Sequence, residues 1–213
     1  MLKLYIGNKN YSSWSMRPWL VLKKAELPFE EKLIPLYVPG VKEKLLELSS
    51  AGTVPVLQVP EAMIPDSLAI SEWAAKCVPN LWPKDPVDRK AARAFCQQMQ
   101  DDYGEFRNAA PMNLRRRTSN PLPKAALHAA QRMQNRWQEF LGGHEDAFLF
   151  GDWSIADAFA TPYATRFMSY GIPRDPRADT YISELMADEH FLGWEIAALA
   201  EEWVIEPVEA AGR

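Results

Sequence analysis

Cysteine is scarce in this chain. Cys77 and Cys96 are the two cysteines in 213 residues, and they are far apart, without metal-ligand spacing. Both fall in apolar helical patterns, so reduced, buried packing residues are expected and a disulfide-stapled secreted scaffold is not. Histidine is almost as rare. His128, His144 and His190 are scattered, which argues against a metal centre or a histidine-based triad. Excess positive charge is missing too: the formal net charge is -4, so no sequence-wide affinity for nucleic acid is expected. No apolar run reaches the ~18 residues of a membrane-spanning helix. The opening residues, Leu2-Lys-Leu-Tyr-Ile-Gly7, lack the basic-then-apolar pattern of a signal peptide. The expectation is a soluble cytoplasmic protein with no membrane or nucleic-acid partner.

What is present is ordinary globular material. Hydrophobic residues make up 47% and charged residues 24%, enough for a sizeable core in one large domain or two small ones. One stretch stands out, Tyr11-Ser12-Ser13-Trp14-Ser15-Met16-Arg17-Pro18-Trp19. It lies between an apolar strand at 2–7, ended by Gly7, and a helical pattern at 15–26. Hydroxyls therefore sit where a strand turns into a helix. The first turn of a helix leaves backbone N–H groups free, and together with the macrodipole they favour an anion. A serine there can cap the helix or point its hydroxyl at a bound thiolate, phosphate or carboxylate.

Along the rest of the first 80 residues the pattern predicts a β-α-β-α-β-β-α order. Pro18 is placed in the first turn of the first helix, where proline is tolerated. A second strand is read at 30–36, near an edge because of Pro35. A short helix follows at 42–48, ended at Gly52. The next strand is read at 53–59, with Pro55 at its entrance, then a brief one at 62–64. Asp66 or Ser67 is placed to cap a helix over 68–75 with Leu68, Ile70, Trp73 and Ala74 inward. This order gives a mixed four-stranded sheet with helices on its faces.

Three motifs then carry a resemblance. Ser12-Ser13-Trp14-Ser15-Met16-Arg17 is similar to the Ser-Ser-Cys-Ser-x-Arg stretch of zeta-class glutathione transferases. Val54-Pro55-Val56-Leu57 resembles that family's Val-Pro-x-Leu element. Asp66-Ser67-Leu68-Ala69-Ile70 resembles its Gln/Glu-Ser-x-Ala-Ile element. In this order and spacing they resemble the thioredoxin-like N-terminal domain of cytosolic glutathione transferases, in a bacterial zeta-like, serine-type form. The resemblance implies a cis peptide bond before Pro55, which turns the backbone of Val54 toward the cysteinyl unit of glutathione. It implies that Ser67 and free N–H groups hold the γ-glutamyl carboxylate, that Asp66 faces the ammonium group, and that Lys42 meets the glycyl carboxylate.

The implied chemistry needs a glutathione thiolate. A free thiol has a pKa of about 8.5, and a helix N-terminus with a donor nearby lowers it. Ser12, five residues before Arg17 as in the zeta pattern, is the first choice of donor. Ser13, four before it as in the theta and delta patterns, is the second. Ser15 is read as a cap and Arg17 as a partner in structural ion pairs. Trp14 stands where the zeta class has a cysteine, so a function relying on that thiol is not expected.

After Leu81-Trp-Pro-Lys-Asp-Pro-Val87, a linker by composition, the periodicity is helical. Helices are read at 88–108, 124–141 (ended by Gly142-Gly143), 155–167, 175–186 and 190–202. Ser154-Ile-Ala-Asp157 is a capping box by type, and Gly151-Asp-Trp-Ser-Ile-Ala-Asp157 resembles a signature of the family's helical domain, with Asp157 structural. The expected organisation is residues 1–80 as a glutathione-binding domain, 81–87 as linker and 88–213 as an all-helical domain. Arg115-Arg116-Arg117 is either a solvated helix end or, through Arg115 beside Met112 and Asn113, a reader of an anionic acceptor. Tyr11, Trp14, Met112 and Arg115 are the candidate acceptor pocket. The expected function is a glutathione transferase acting on a small electrophile, with glutathione as co-substrate, no metal, and a homodimeric assembly implied by the family. A glutathione-dependent isomerase of a maleyl-type diacid and a non-catalytic glutathione-binding protein stay open as alternatives. A disulfide reductase lacks a cysteine near Ser12.

Overall fold

A computed structural model of the chain describes residues 1–142 and 147–211. Gly143 and His144 lie outside the described residues. The sheet has four strands, β1 (Leu2–Ile6), β2 (Phe29–Leu33), β3 (Val56–Val59) and β4 (Ala62–Pro65), in the order β2-β1-β3-β4. β1 pairs parallel with β2, and the β1–β3 and β3–β4 pairs are antiparallel. The parallel pair needs a crossover, and helix α1 (Ser13–Lys24) supplies it. β2 is an edge strand, as Pro35 just beyond it suggests. Helix α2 (Val41–Leu48) links β2 to β3, and α3 (Ser67–Cys77) follows β4.

The rest is helical: one 3-10 turn at Pro79–Leu81, then α4 (Pro86–Asp101), α5 (Gly104–Ala109), α6 (Lys124–Leu141), α7 (Ile155–Ser169), α8 (Pro176–Ala187), α9 (Glu189–Leu199) and α10 (Glu206–Ala210). In the stretch read as a linker, Leu81 and Trp82 are buried, and Pro86 already belongs to α4. The centre of the molecule is α7, an apolar helix buried on every side except at Met168. α1, α4 and α8 pack around it. Its N-terminus is a complete capping box of Ser154 and Asp157, and Asp157 also accepts from Leu149 N–H and from the Tyr181 hydroxyl.

The elements differ from the sequence reading in several places. α1 starts at Ser13 rather than Ser15, because Ser12 is the cap. Pro18 therefore sits inside the helix, past its first turn, and leaves the Trp14 carbonyl without an intrahelical donor. β3 begins after Pro55, at Val56. The long helix expected at 88–108 is broken at Asp102 and Tyr103, and Tyr103 takes a left-handed φ of 61°. The break frees the carbonyl of Met99. Losing one ladder bond costs about 1 kcal/mol net, and side chains offset it: Tyr163 donates to that carbonyl at 2.7 Å, Arg107 at 3.3 Å and Arg17 at 3.4 Å. α9 ends at Leu199, and the chain then returns across the molecule to form α10, which the periodicity did not mark.

Candidate functional site

Where β1 ends, the chain turns through Asn8 and enters α1 beside the ends of α5 and α7. A cleft of about 970 Å³ opens there. Ser12 and Ser13 form its base. Val54, Pro55, Asp66 and Ser67 line the side of the sheet, with Lys42 at the rim. Tyr11, Trp14, Arg107, Met112 and Arg166 line the side of the helices, and Ile205 and Val208 of the C-terminal segment close one end.

The serines at the base are not equivalent. Ser12 is the N-cap of α1; its Oγ accepts from Ser15 N–H at 3.4 Å and donates to Ser15 Oγ at 2.8 Å. Ser15, read as the cap, instead receives the Gly7 N–H at 3.1 Å. Ser13 Oγ accepts from Arg166 Nη2 at 3.3 Å. A hydroxyl has one donor hydrogen and two acceptor sites, so Ser13 keeps its hydrogen for a further partner. The N–H of Trp14, in the first turn of α1, has no partner among the described residues.

On the opposite wall the Val54–Pro55 peptide bond is cis. Neither the N–H nor the C=O of Val54 has a hydrogen-bond partner among the described residues. That leaves one donor and one acceptor facing the cleft, as an incoming extended peptide requires. Asp66 caps α3, its Oδ1 accepting from Leu68 N–H at 2.8 Å and Ala69 N–H at 3.0 Å. Its φ of 78° is uncommon for a residue other than glycine. Ser67 Oγ donates to Gln100 Oε1 at 3.2 Å. Lys42 donates from Nζ to the carbonyl of Gly52 at 3.1 Å.

The helical wall is positively charged. Arg166 is buried; its Nε donates to Ala110 C=O at 2.8 Å and its Nη1 to Pro162 C=O at 2.6 Å. Burial, aided by repulsion from Arg17 and Arg107, pushes its pKa down to about 10, so it stays protonated near neutrality. Arg17 is fully buried, and burial lowers its pKa as well. Among the described residues it forms no ion pair, contrary to the sequence reading. Its guanidinium lies over the Trp14 ring, 4.4 Å from the centroid, and near Phe159 and Tyr163. Arg107 donates to the Tyr163 hydroxyl at 2.8 Å. Among the described residues none of the three arginines has a carboxylate partner.

Arg115, expected in the acceptor pocket, does not line the cleft. Its guanidinium donates to the carbonyls of Glu201 and Trp203, each at 2.6 Å, and to the Tyr11 hydroxyl at 2.8 Å. Arg115 thus ties down the C-terminal segment, and Arg107 and Arg166 are the arginines among the residues that line the cleft. The sequence reading missed both, and the tail with them. A signal for Arg166 was available: Asp157 and Arg166 are the two charged residues in the apolar helix IADAFATPYATRFMS, and Asp157 is explained by its capping box. Among the described residues no group of His, Cys, Asp and Glu suits a metal ion, and no described helix is long and apolar enough to cross a membrane.

Comparison with known proteins fits this geometry. Residues 11–77 match the family "Glutathione S-transferase, N-terminal domain". A probable maleylacetoacetate isomerase of Caenorhabditis elegans is 38% identical over 94 residues, which is 43% of this chain and 43% of that protein's length. A glutathione transferase homologue from Burkholderia gl BGR1, solved with bound glutathione, superposes with a TM-score of 0.75 at 25% identity, over 94% of this chain and 99% of that one. Glutathione transferase Omega 2S of Trametes versicolor has the same fold, with a TM-score of 0.71 at 22% identity over 98% of each chain. The chain therefore has the glutathione transferase fold, and its residues 11–77 match the glutathione S-transferase N-terminal domain family.

Proposed function

We propose that this chain is a glutathione-dependent enzyme, a transferase that conjugates glutathione to a small electrophile. The observation that carries the reading is the cleft itself. The unpartnered backbone of Val54 faces it from one side, and the serines at the start of α1 lie at its base. The residues fit the tripeptide: Val54 offers a donor and an acceptor to its cysteinyl unit, and the start of α3 at Ser67 suits its γ-glutamyl carboxylate. Asp66 Oδ1 is engaged in capping, and its other oxygen remains for the ammonium group. Lys42, at the rim, suits the glycyl carboxylate. A serine hydroxyl at the start of α1 stabilises the thiolate and remains protonated, without acting as nucleophile. Tyr11, Trp14 and Met112 form the acceptor side.

Titration with glutathione, following thiolate absorbance against pH, tests this. The expected result is binding with a thiol pKa well below the free value. Binding with no shift leaves a non-catalytic glutathione-binding protein, and no binding rejects the reading. A second reading is a glutathione-dependent isomerase of a maleyl-type diacid. Arg107 and Arg166, cations at the acceptor side without carboxylate partners among the described residues, favour it, as does the name of the C. elegans relative. Assay of a cis diacid against a neutral electrophile separates the two. The proposal includes residues 1–80 as glutathione domain and 88–213 as helical domain, a homodimer, which sedimentation tests, and a cytoplasmic setting, where the glutathione pool is reduced.

A further inference from the structure

We propose that Arg166 is a positioning residue that makes Ser13, and not Ser12, the hydrogen-bond donor to the glutathione sulfur. The inference rests on the glutathione reading above and adds a residue from a distant helix to it. Its basis is the hydrogen count at the two serines. Ser12 gives its hydrogen to Ser15 Oγ at 2.8 Å and one of its two acceptor sites to the cap. Ser13 Oγ is occupied as an acceptor by Arg166 Nη2. A hydroxyl that accepts from a guanidinium cannot also turn its hydrogen toward that guanidinium. The hydrogen of Ser13 is therefore directed away from Arg166, and both residues line the cleft.

Arg166 is itself held rigidly. Its Nε and Nη1 are bound to the carbonyls of Ala110 and Pro162, so its third nitrogen arrives at Ser13 from a fixed direction. The surroundings keep its charge uncompensated. Tyr163 on its own helix and Tyr170 just beyond it face Arg166, and so do Arg17 on α1 and Arg107 on α5. None of the three arginines has a carboxylate partner among the described residues. A sulfur that accepts from Ser13 lies one hydrogen bond beyond this cation, inside the range where an opposite charge favours the ionised form. The step is a simple ionisation. The thiol proton leaves to solvent, Ser13 keeps its own hydrogen and donates it to the resulting thiolate, and Arg166 stays protonated throughout.

The test is the pKa of the bound glutathione thiol, read by thiolate absorbance across pH, for wild type, Arg166→Met, Arg166→Lys, Ser13→Ala and Ser12→Ala. Loss of an opposite charge at this range is expected to raise the bound-thiol pKa by about one unit or more in Arg166→Met. Ser13→Ala should show a rise of the same order, Arg166→Lys should recover part of the shift, and Ser12→Ala should leave it near wild type. The dissociation constant of S-methylglutathione, which has no ionisable thiol, should stay within a few-fold in all of them. An unchanged thiol pKa in folded Arg166→Met overturns the proposal. So does a rise in Ser12→Ala with none in Ser13→Ala, and that serine comparison decides the matter should Arg166→Met not fold. Wild-type protein that binds no glutathione would instead reject the function on which the inference rests.

Discussion

The phenol of Tyr11 donates to the carboxylate of Glu209 at 2.8 Å, joining residues 198 positions apart. Asn113 Nδ2 donates to the same oxygen at 2.7 Å, and Arg116 Nη2 reaches the other at 3.3 Å. These bonds fix the tail whose Ile205 and Val208 close one end of the cleft. Glu209→Ala should loosen that wall. The loss of about 1 kcal/mol of local tethering should raise the KM for the acceptor by about fivefold. The KM for glutathione, which the proposed function assigns to the opposite wall, should stay unchanged. Steady-state kinetics with each substrate varied in turn checks this.

The same link has a pH limit. Burial opposes ionisation of Glu209, but Tyr11, Asn113, Arg116 and Arg115 together hold its carboxyl below the ordinary 4.5. A depressed folded pKa gives stability that is present above the ordinary value and lost as pH falls through the folded one. The tail should therefore stay docked at neutral pH and release below the usual carboxylate range. Limited proteolysis of the last ten or so residues, rising on acidification before global unfolding, is the expected sign.

Asp157 works the other way. Burial pushes its pKa from 3.8 up to about 6, against hydrogen bonds from Leu149, Ser154 and Tyr181. With the folded pKa raised, its contribution is greatest below the unfolded value and is lost as pH rises through about 6. Asp157→Asn turns an amide donor toward groups that already donate. It should cost about 2–4 kcal/mol in urea unfolding. The gap to wild type should be wider at about pH 5 than at about pH 7.5, because the variant has no group to protonate there.

Gly7 stands directly behind the candidate base of the cleft. A Cβ there would meet Leu36 Cδ1 at 2.6 Å and Ser12 Cβ at 3.1 Å. Leu36 can yield at its tip, but the cap residue of α1 cannot move without dragging the helix start. Gly7→Ala should destabilise by roughly 1–3 kcal/mol and raise the KM for glutathione more than that for the acceptor. Thermal unfolding and kinetics together check it.

Arg17 is a fully buried cation whose Nε and Nη1 have no hydrogen-bond partner among the described residues. Its hydrogen bond to Met99 C=O is long at 3.4 Å, and that carbonyl also receives Tyr163 at 2.7 Å. Removing the guanidinium therefore orphans nothing. A buried charge costs several kcal/mol to desolvate, and the Trp14 ring offsets it by about 2 kcal/mol. Arg17→Met should leave stability within about 1 kcal/mol of wild type, or raise it. Urea unfolding would show the opposite, a loss of 3 kcal/mol or more, if the cation had a partner that the substitution strands.

Local chemistry made much of the fold legible. Pro55 before β3, Asp66 before α3 and Ser154 with Asp157 before α7 are signals whose partners lie within a few residues. The same holds for α6, whose ends and apolar stripe are written in one continuous segment. Two of the readings that went astray involve distant groups. The helix expected at 88–108 is broken at Asp102 and Tyr103, and Arg17, Arg107 and Tyr163, all outside its stretch or across the break, satisfy the carbonyl of Met99 that the break frees. Arg115 leaves the expected pocket because the carbonyls of Glu201 and Trp203 claim it.

The candidate site divides in the same way. The sequence by itself determined that hydroxyls stand at the strand-to-helix turn of residues 11–19, and that a proline and a capped helix start follow at 55 and 66. Those are matters of backbone conformation and nearest neighbours. The tertiary structure decided what each serine does with its hydrogen. Ser12 is spent on Ser15 within its own turn, whereas Ser13 is set by Arg166, 153 positions away. A hydroxyl's direction follows from whichever donors surround it, and only folding brings α7 against α1.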